Sequence, residues 1–338
     1  MSAGTYVPYH TRQNKAIDRQ LFIDLLAKIN RFVEVRKYRY VSFGGPFFED
    51  FKLVHSQFGI KKMISIEGSE AVFARQRFNL PLSCIDPRRA LSGEFLDSYS
   101  GDGGTIFWLD YAAANELREQ IEEFQILLSK SNELDIVRVT LNANPGVFSP
   151  EVVIRENGRR ETTEQKNQRR FDAFQTRLGD FTPEDTSPDD MVASKYPQVL
   201  LRALEFASNS IMEGRRLRDG TYFQPLSAYI YSDHIHPMLT LTGILLNKKQ
   251  HRAFFQLTDL KRWEHAATTW GRYSAIKVPA LTAREKLFVD SWLPTRQTST
   301  IQKKLKFLFA DTEAESIEVI ENYRRYYRYY PNFQRVIF

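Results

Sequence analysis

Five short apolar runs, each halted by a polar or glycine-containing turn, constrain this chain more than any other feature of its sequence. Tyr40-Val41-Ser42-Phe43 stops at Gly44-Gly45-Pro46. Met63-Ile64-Ser65-Ile66 stops at Glu67-Gly68, and Leu82-Ser83-Cys84-Ile85 at Asp86-Pro87. Thr105-Ile106-Phe107-Trp108-Leu109 stops at Asp110-Tyr111, and Ile136 to Leu141 at Asn142-Ala143-Asn144-Pro145-Gly146. Helical stretches over Phe48 to Gln57, Ala71 to Phe78 and Glu116 to Leu128 separate most of them. Strand and helix in alternation predict a parallel sheet covered on both faces, which is why the strands are apolar throughout. Right-handed crossovers then bring every strand's C-terminal end to one edge. The turn residues just named are therefore neighbours in space, at the edge where open α/β sheets bind ligands.

The pattern changes beyond the fifth strand. Residues 147–196 are polar and broken by Gly158, Gly179, Pro183 and Pro188, and read as a partly ordered insertion. Val199 to Met212 is a helix. Leu226 to Tyr231 and Met238 to Leu246, joined by Ser232-Asp233-His234-Ile235-His236-Pro237, predict an antiparallel hairpin. Before the sheet, Ile17, Leu21, Leu25 and Ile29 form a buried helical stripe. After it, residues 248–338 read as mainly helical, with a capping box at Thr282-Ala283-Arg284-Glu285. Tyr323, Tyr326, Tyr327 and Tyr330 share one helix face, which fits packing better than base stacking. The predicted organisation is thus a helical segment at 1–37, a Rossmann-like domain at 38–247 carrying the insertion, and a helical region at 248–338.

Composition narrows the class. With 13% aromatic and 42% hydrophobic residues a mostly disordered chain is excluded. The single cysteine, Cys84, excludes a disulfide framework and any multi-cysteine zinc site. No apolar run reaches membrane-span length and Met1 to Gln20 lacks a signal core, so a cytoplasmic location is expected. The net charge of +6 is concentrated: residues 1–40 hold eight basic and three acidic side chains, leaving 39 against 38 elsewhere. That local surplus fits a small anionic ligand, a short nucleic-acid contact, or a solvated surface.

Five parallel strands with a terminal antiparallel hairpin resemble the class I S-adenosylmethionine-dependent methyltransferase fold over roughly residues 38–247. The wording Phe43-Gly44-Gly45-Pro46-Phe47-Phe48-Glu49-Asp50-Phe51, Ile64-Ser65-Ile66-Glu67 and Phe107-Trp108-Leu109-Asp110-Tyr111 is similar to a group of O-methyltransferases of unassigned substrate. The resemblance implies S-adenosyl-L-methionine as cofactor and a methyl acceptor, with oxygen favoured over nitrogen.

The residues also speak for themselves. Gly44-Gly45 lets backbone approach a ligand, and the amides at the helix start that follows Pro46 favour a carboxylate, although G-x-G-x-G is absent. Glu67, with Gly68 behind it, sits close to the roughly 20-residue spacing of a ribose-binding acid. It also fits a helix cap before Ser69. Asp86 is placed either to hold an adenine amino group or to make a turn. Asp110 either orients a nucleophile and takes its proton or caps the following helix. Tyr111 can pack on an acceptor ring or the cationic methyl. His234 is a candidate general base with Asp233 and His236 beside it, although turn histidines are commonly ordinary. The His-x-His pair lacks further metal ligands, and no metal is expected. Asn142 and Asn144 are candidates for substrate hydrogen bonds. The competing function is an inactive Rossmann-like module contacting nucleic acid through Arg12, Lys15 and Arg19, or a partner protein. A nicotinamide oxidoreductase is disfavoured by the hairpin and the missing G-x-G-x-x-G.

Overall fold

The computed structural model describes residues 12–101, 103–149, 160–233 and 236–331. Helix α1 (Gln13–Ile29) carries the N-terminal stripe and leads through a short 3-10 turn into β1 (Arg39–Ser42). There follow α2 (Glu49–Phe58), β2 (Lys62–Glu67), α3 (Glu70–Phe78), β3 (Ile85–Arg89), α4 (Ser92–Ser98), β4 (Thr105–Asp110), α5 (Leu117–Lys130) and β5 (Ile136–Asn142). Helices α6 (Thr163–Leu178) and α7 (Tyr196–Arg218) precede the hairpin of β6 (Thr221–Asp233) and β7 (His236–Asn247). The chain continues through α8 (His251–Thr258), β8 (Ser274–Ile276), α9 (Ala283–Asp290), α10 (Thr298–Leu305) and α11 (Glu313–Tyr326).

The strands make one sheet in the order β3-β2-β1-β4-β5-β7-β6-β8. Strands β1 to β5 are parallel, β7 runs antiparallel to β5 and β6, and β8 is parallel to β6. Side chains alternate across this sheet with period two. Val41, Phe107, Leu109, Val137 and Leu241 enter a core shared with α5 and α7. Tyr40, Trp108, Ile136 and Ile244 enter the opposite core, shared with α1, α2 and α8. Both faces are covered, so β5 is buried at every position. The C-terminal helices form a third core in which Tyr323, Tyr326 and Tyr330 pack with Tyr229, Ile276 and the start of α1. The tyrosine stripe is therefore a packed face, as its spacing predicted, though the last turn tightens to a 3-10 helix at Tyr327–Tyr329.

Three expectations change. The third strand is Ile85–Arg89, later in sequence than Leu82 to Ile85. It is an edge strand with mostly exposed positions, so apolarity does not mark it, and an edge tolerates Pro87. Within 147–196 the described part holds α6, opened by a Thr162–Gln165 capping box, and the start of α7. The region after 248 is mainly helical but also donates β8, making an eighth strand.

One contact ties α1 to the middle of the sheet. Arg138, in central strand β5, and Asp18, in α1, are fully buried and form an ion pair. Arg138 also donates to Thr242 Oγ1 at 2.9 Å, and Thr240 Oγ1 donates to the second Asp18 oxygen at 3.0 Å. The guanidinium lies 4.4 Å from the Trp108 ring centre and 4.7 Å from that of Phe22. A charge in a central strand survives only because these partners replace water. Arg138→Met leaves the Asp18 carboxylate unpaired in the core. It should cost about 3–5 kcal/mol in urea unfolding; a loss under about 1 kcal/mol would show that the pair does not hold α1 in place.

Candidate active site

Strand register fixes the site before any side chain is considered. Ser42 pairs with Ser65 on one side and with Trp108 on the other. Glu67 stands two residues past Ser65, and Asp110 two past Trp108. The two carboxylates therefore share one rim and one face, flanking the turn after β1. Two strand spacings separate them, roughly 10 Å. This is where the strand order reverses from β1 to β4, the topological switch point.

The turn between them demands glycine. A Cβ on Gly44 would lie 2.4 Å from Ser65 Oγ and 2.9 Å from the Phe48 ring, and Gly45 holds φ at +51°. The Gly44 amide donates to Ser65 Oγ at 3.2 Å, and Asn79 at the end of α3 donates to the Pro46 carbonyl at 3.1 Å. The turn is thus pinned from below by β2 and from the side by α3. Helix α2 begins after it without a side-chain cap, and its first turn carries the acids Glu49 and Asp50.

Glu67 is half-buried. Its Oε1 accepts the Ser69 amide at 2.8 Å, and Ser69 in turn caps α3. Burial raises its pKa, opposed by the Ser69 and Gly68 amides. Gly68 closes against Leu91, where an added Cβ would sit 2.7 Å from Cδ2. Leu91, just past β3, is otherwise exposed. It is the residue that the misplaced third strand concealed. Asp86 is a correction: it is the second residue of β3, toward the far edge, and its exposed carboxylate pairs with Arg88 at 2.9 Å. It stands away from the rim because the strand begins where it was expected to end.

Asp110 lies under the first turns of α1. Its Oδ2 is 3.4 Å from Lys15 Nζ and 3.8 Å from Arg19, and Arg19 also clasps Asp50. Burial works to raise the pKa of Asp110, but Lys15, Arg19 and Arg138 outweigh it and hold the carboxyl below its ordinary 3.8. Burial draws the Lys15 amine below its ordinary value despite the attraction of Asp110. Asp50 is raised by burial against the pull of Arg19. Tyr231, on β6, faces the same charges. Its hydroxyl is buried without a hydrogen-bond partner among the described residues. Tyr111 turns to the other face, where its ring meets Phe43 edge-on at 5.5 Å and its hydroxyl bonds Glu123. That places it in the core rather than against an acceptor, since alternation sends neighbours to opposite faces.

Arg12 and Arg19 are buried and Lys15 is partly buried, and Lys15 and Arg19 pair with the internal carboxylates Asp110 and Asp50. Those three side chains therefore offer little exposed charge for a nucleic-acid contact, whereas Arg31, Arg36 and Lys37 remain exposed. Asn142 and Asn144 are used locally: Asn142 accepts the Asn144 amide at 3.0 Å, and Asn144 accepts that of Gly146 at 2.9 Å. His234 lies outside the described residues, as does the side chain of Asp233; His236 is exposed at the start of β7. Among the described residues no three His, Cys, Asp or Glu groups are arranged to hold a metal ion. No helix among them is long and apolar enough to cross a membrane. Lys15, Arg19, Asp50, Tyr231 and Leu91 are the rim residues that sequence reasoning missed; only their basic clustering, for the first two, left any signal.

A parallel sheet of this order closed by an antiparallel hairpin has the strand arrangement of the class I S-adenosylmethionine-dependent methyltransferase fold. A family model described as "Putative O-methyltransferase" matches residues 7–338, and the chain belongs to that family. It is a methyltransferase. Comparison with curated proteins gives no match. Among solved structures it is similar to a "putative S-adenosylmethionine dependent methyltransferase" from Listeria monocytogenes. That pair has 10% identity and TM-score 0.39, covering 67% of this chain and 100% of the other. It is similar to cofactor-bound Rv0187 from MTB, with 13% identity and TM-score 0.37, covering 67% and 79%. It is also similar to the plantazolicin methyltransferase BpumL, with 9% identity and TM-score 0.38, covering 69% and 86%.

The depressed pKa of Asp110 gives the site an acid limb. Its folded value lies below the unfolded 3.8, so its contribution to stability is complete above that pH and is lost as the pH falls through the folded value. Urea midpoints of wild type should therefore drop more between pH 5 and pH 3 than those of Asp110→Asn. Equal drops would mean that Lys15 and Arg19 do not stabilise the ionised form.

Proposed function

We propose that this chain transfers a methyl group from S-adenosyl-L-methionine to an oxygen atom of its acceptor, at the rim between Glu67 and Asp110. The observation that carries this reading is the placing of both carboxylates on one face of one rim, either side of a glycine turn with no room for a side chain. The residues fit the cofactor. The Gly44-Gly45-Pro46 turn admits the methionyl part to backbone contact. Glu67, with one oxygen held by Ser69, presents the other toward the ribose hydroxyls. Gly68 and exposed Leu91 offer a flat apolar seat for adenine. Bound there, the cofactor supplies an electrophilic methyl group on a positively charged sulfur.

The remaining work falls to the chain. Methyl transfer is an in-line displacement: the acceptor oxygen forms the new bond as the methyl–sulfur bond breaks, and sulfur keeps the electron pair. Asp110 is held ionised and immobile by Lys15 and Arg19, which suits orienting an acceptor hydroxyl more than taking its proton. Tyr231 offers an unused hydroxyl on the same face. The proton goes to a group with a higher pKa, for which His234 is the candidate. The family description favours oxygen as the acceptor atom.

Isothermal titration with S-adenosylmethionine and its demethylated product is the direct test. Glu67→Ala should weaken both by about tenfold or more, since hydrogen bonds to a charged group contribute about 1.5–3 kcal/mol. Unchanged binding would remove Glu67 from the ribose site, and no binding by wild type would overturn the reading. Incubation with methyl-labelled cofactor and matched phenol, carboxylate and amine panels should place label on oxygen. Exclusive labelling of amines would refute the acceptor assignment.

A further inference from the structure

The edge of the sheet opposite the methyl-transfer rim holds a cavity of about 730 Å³, between α7, the start of β6 and the start of α8. Strand β6 spans Thr221–Asp233, so this edge lies roughly 30–40 Å from the rim. One stripe of α7 lines it, with Glu205, Asn209, Met212 and Arg216 at i, i+4, i+7 and i+11.

Two features give the cavity a chemical character. The first is its flat walls. Tyr222 stacks on His251 with ring planes 28° apart and shares a 2.6 Å hydrogen bond with it, which fixes both rings. Trp270 faces the cavity with Phe223 packed behind it at 5.8 Å. The second is charge. Arg216, Lys248 and Arg252 surround the mouth from three elements, and no carboxylate of the described residues lies within 4 Å of any of them. Three cations with no ion-pair partner among the described residues, beside aromatic walls and with Glu205 as the one carboxylate of the lining, match a planar ring that carries a dianion. The volume exceeds that of a lone ring and suits a ring, a sugar and a phosphate together. Glu205 and Asn209 supply an acceptor and a donor for sugar hydroxyls or base edges.

We propose that this cavity is a binding site for a free nucleoside monophosphate, separate from the methyl-transfer rim. The base lies between the Tyr222–His251 pair and Trp270, and the phosphate meets Arg216, Lys248 and Arg252.

The test is isothermal titration of the full chain with adenosine 5′-monophosphate, adenosine, inorganic phosphate and a 5′-phosphorylated oligoadenylate. The monophosphate should bind, with adenosine and phosphate each weaker by about tenfold or more. Combined Lys248→Gln and Arg252→Gln, at exposed positions that leave the fold alone, should weaken the monophosphate about tenfold. Trp270→Ala should weaken it too, whereas Glu67→Ala should leave it unchanged. Because Glu67→Ala disturbs only the rim, failure here and failure of the cofactor reading are told apart. The proposal is overturned by the absence of monophosphate binding, or by binding that falls with Glu67→Ala and ignores the basic pair. Phosphate binding as tight as the nucleotide would reduce the cavity to a charge patch and overturn it as well. Oligonucleotide binding more than tenfold tighter would overturn the choice of a free nucleotide.

Discussion

The buried pair of Asp18 and Arg138 is the contact on which the placing of the rim depends. A guanidinium in the middle of a central strand would be ruinous alone. Here Asp18, Thr242 and two aromatic faces enclose it. Because Asp18 belongs to α1, the helix cannot slide or rotate without stranding both charges. Lys15 and Arg19, on the turns beside Asp18, are thereby delivered to Asp110 and Asp50. One ion pair in the core sets the electrostatics of a rim several residues away.

That arrangement gives the N-terminal basic segment its purpose. Lys15 and Arg19 are held inside the molecule, close to the residues that end β4 and begin α2, where they keep Asp110 ionised. A carboxylate so restrained reorganises little when an acceptor arrives, and preorganisation of this kind is where much catalytic power resides. The opposite edge follows another logic. There the cations stand in solvent around fixed rings, and they remain free to meet an anion from outside.

The sheet was legible in the sequence because the central strands are apolar on both faces and stop at a turn residue, and because a hairpin follows the fifth strand. Glu67 and Asp110 were legible for the same reason, as the last residues of strands with clear endings. Asp86 failed where that reasoning had least to work with: β3 is an edge strand, half-exposed, and its hydrophobic pattern is weak. Tyr111 was correctly placed along the chain, but its direction depends on which of two adjacent residues faces α1.

The sequence by itself determined the alternation of strand and helix, the common edge of the turns and the acids at two strand ends, since these follow from local periodicity and the handedness of crossovers. Only the tertiary structure decided that α1 packs beside β6 and reaches β4 and β5 through Lys15 and Asp18, that Arg19 spans from Asp50 to Asp110, and that Leu91 closes on Gly68. Those contacts join residues far apart in the chain, and a charge in a helix does not state which buried partner it will meet.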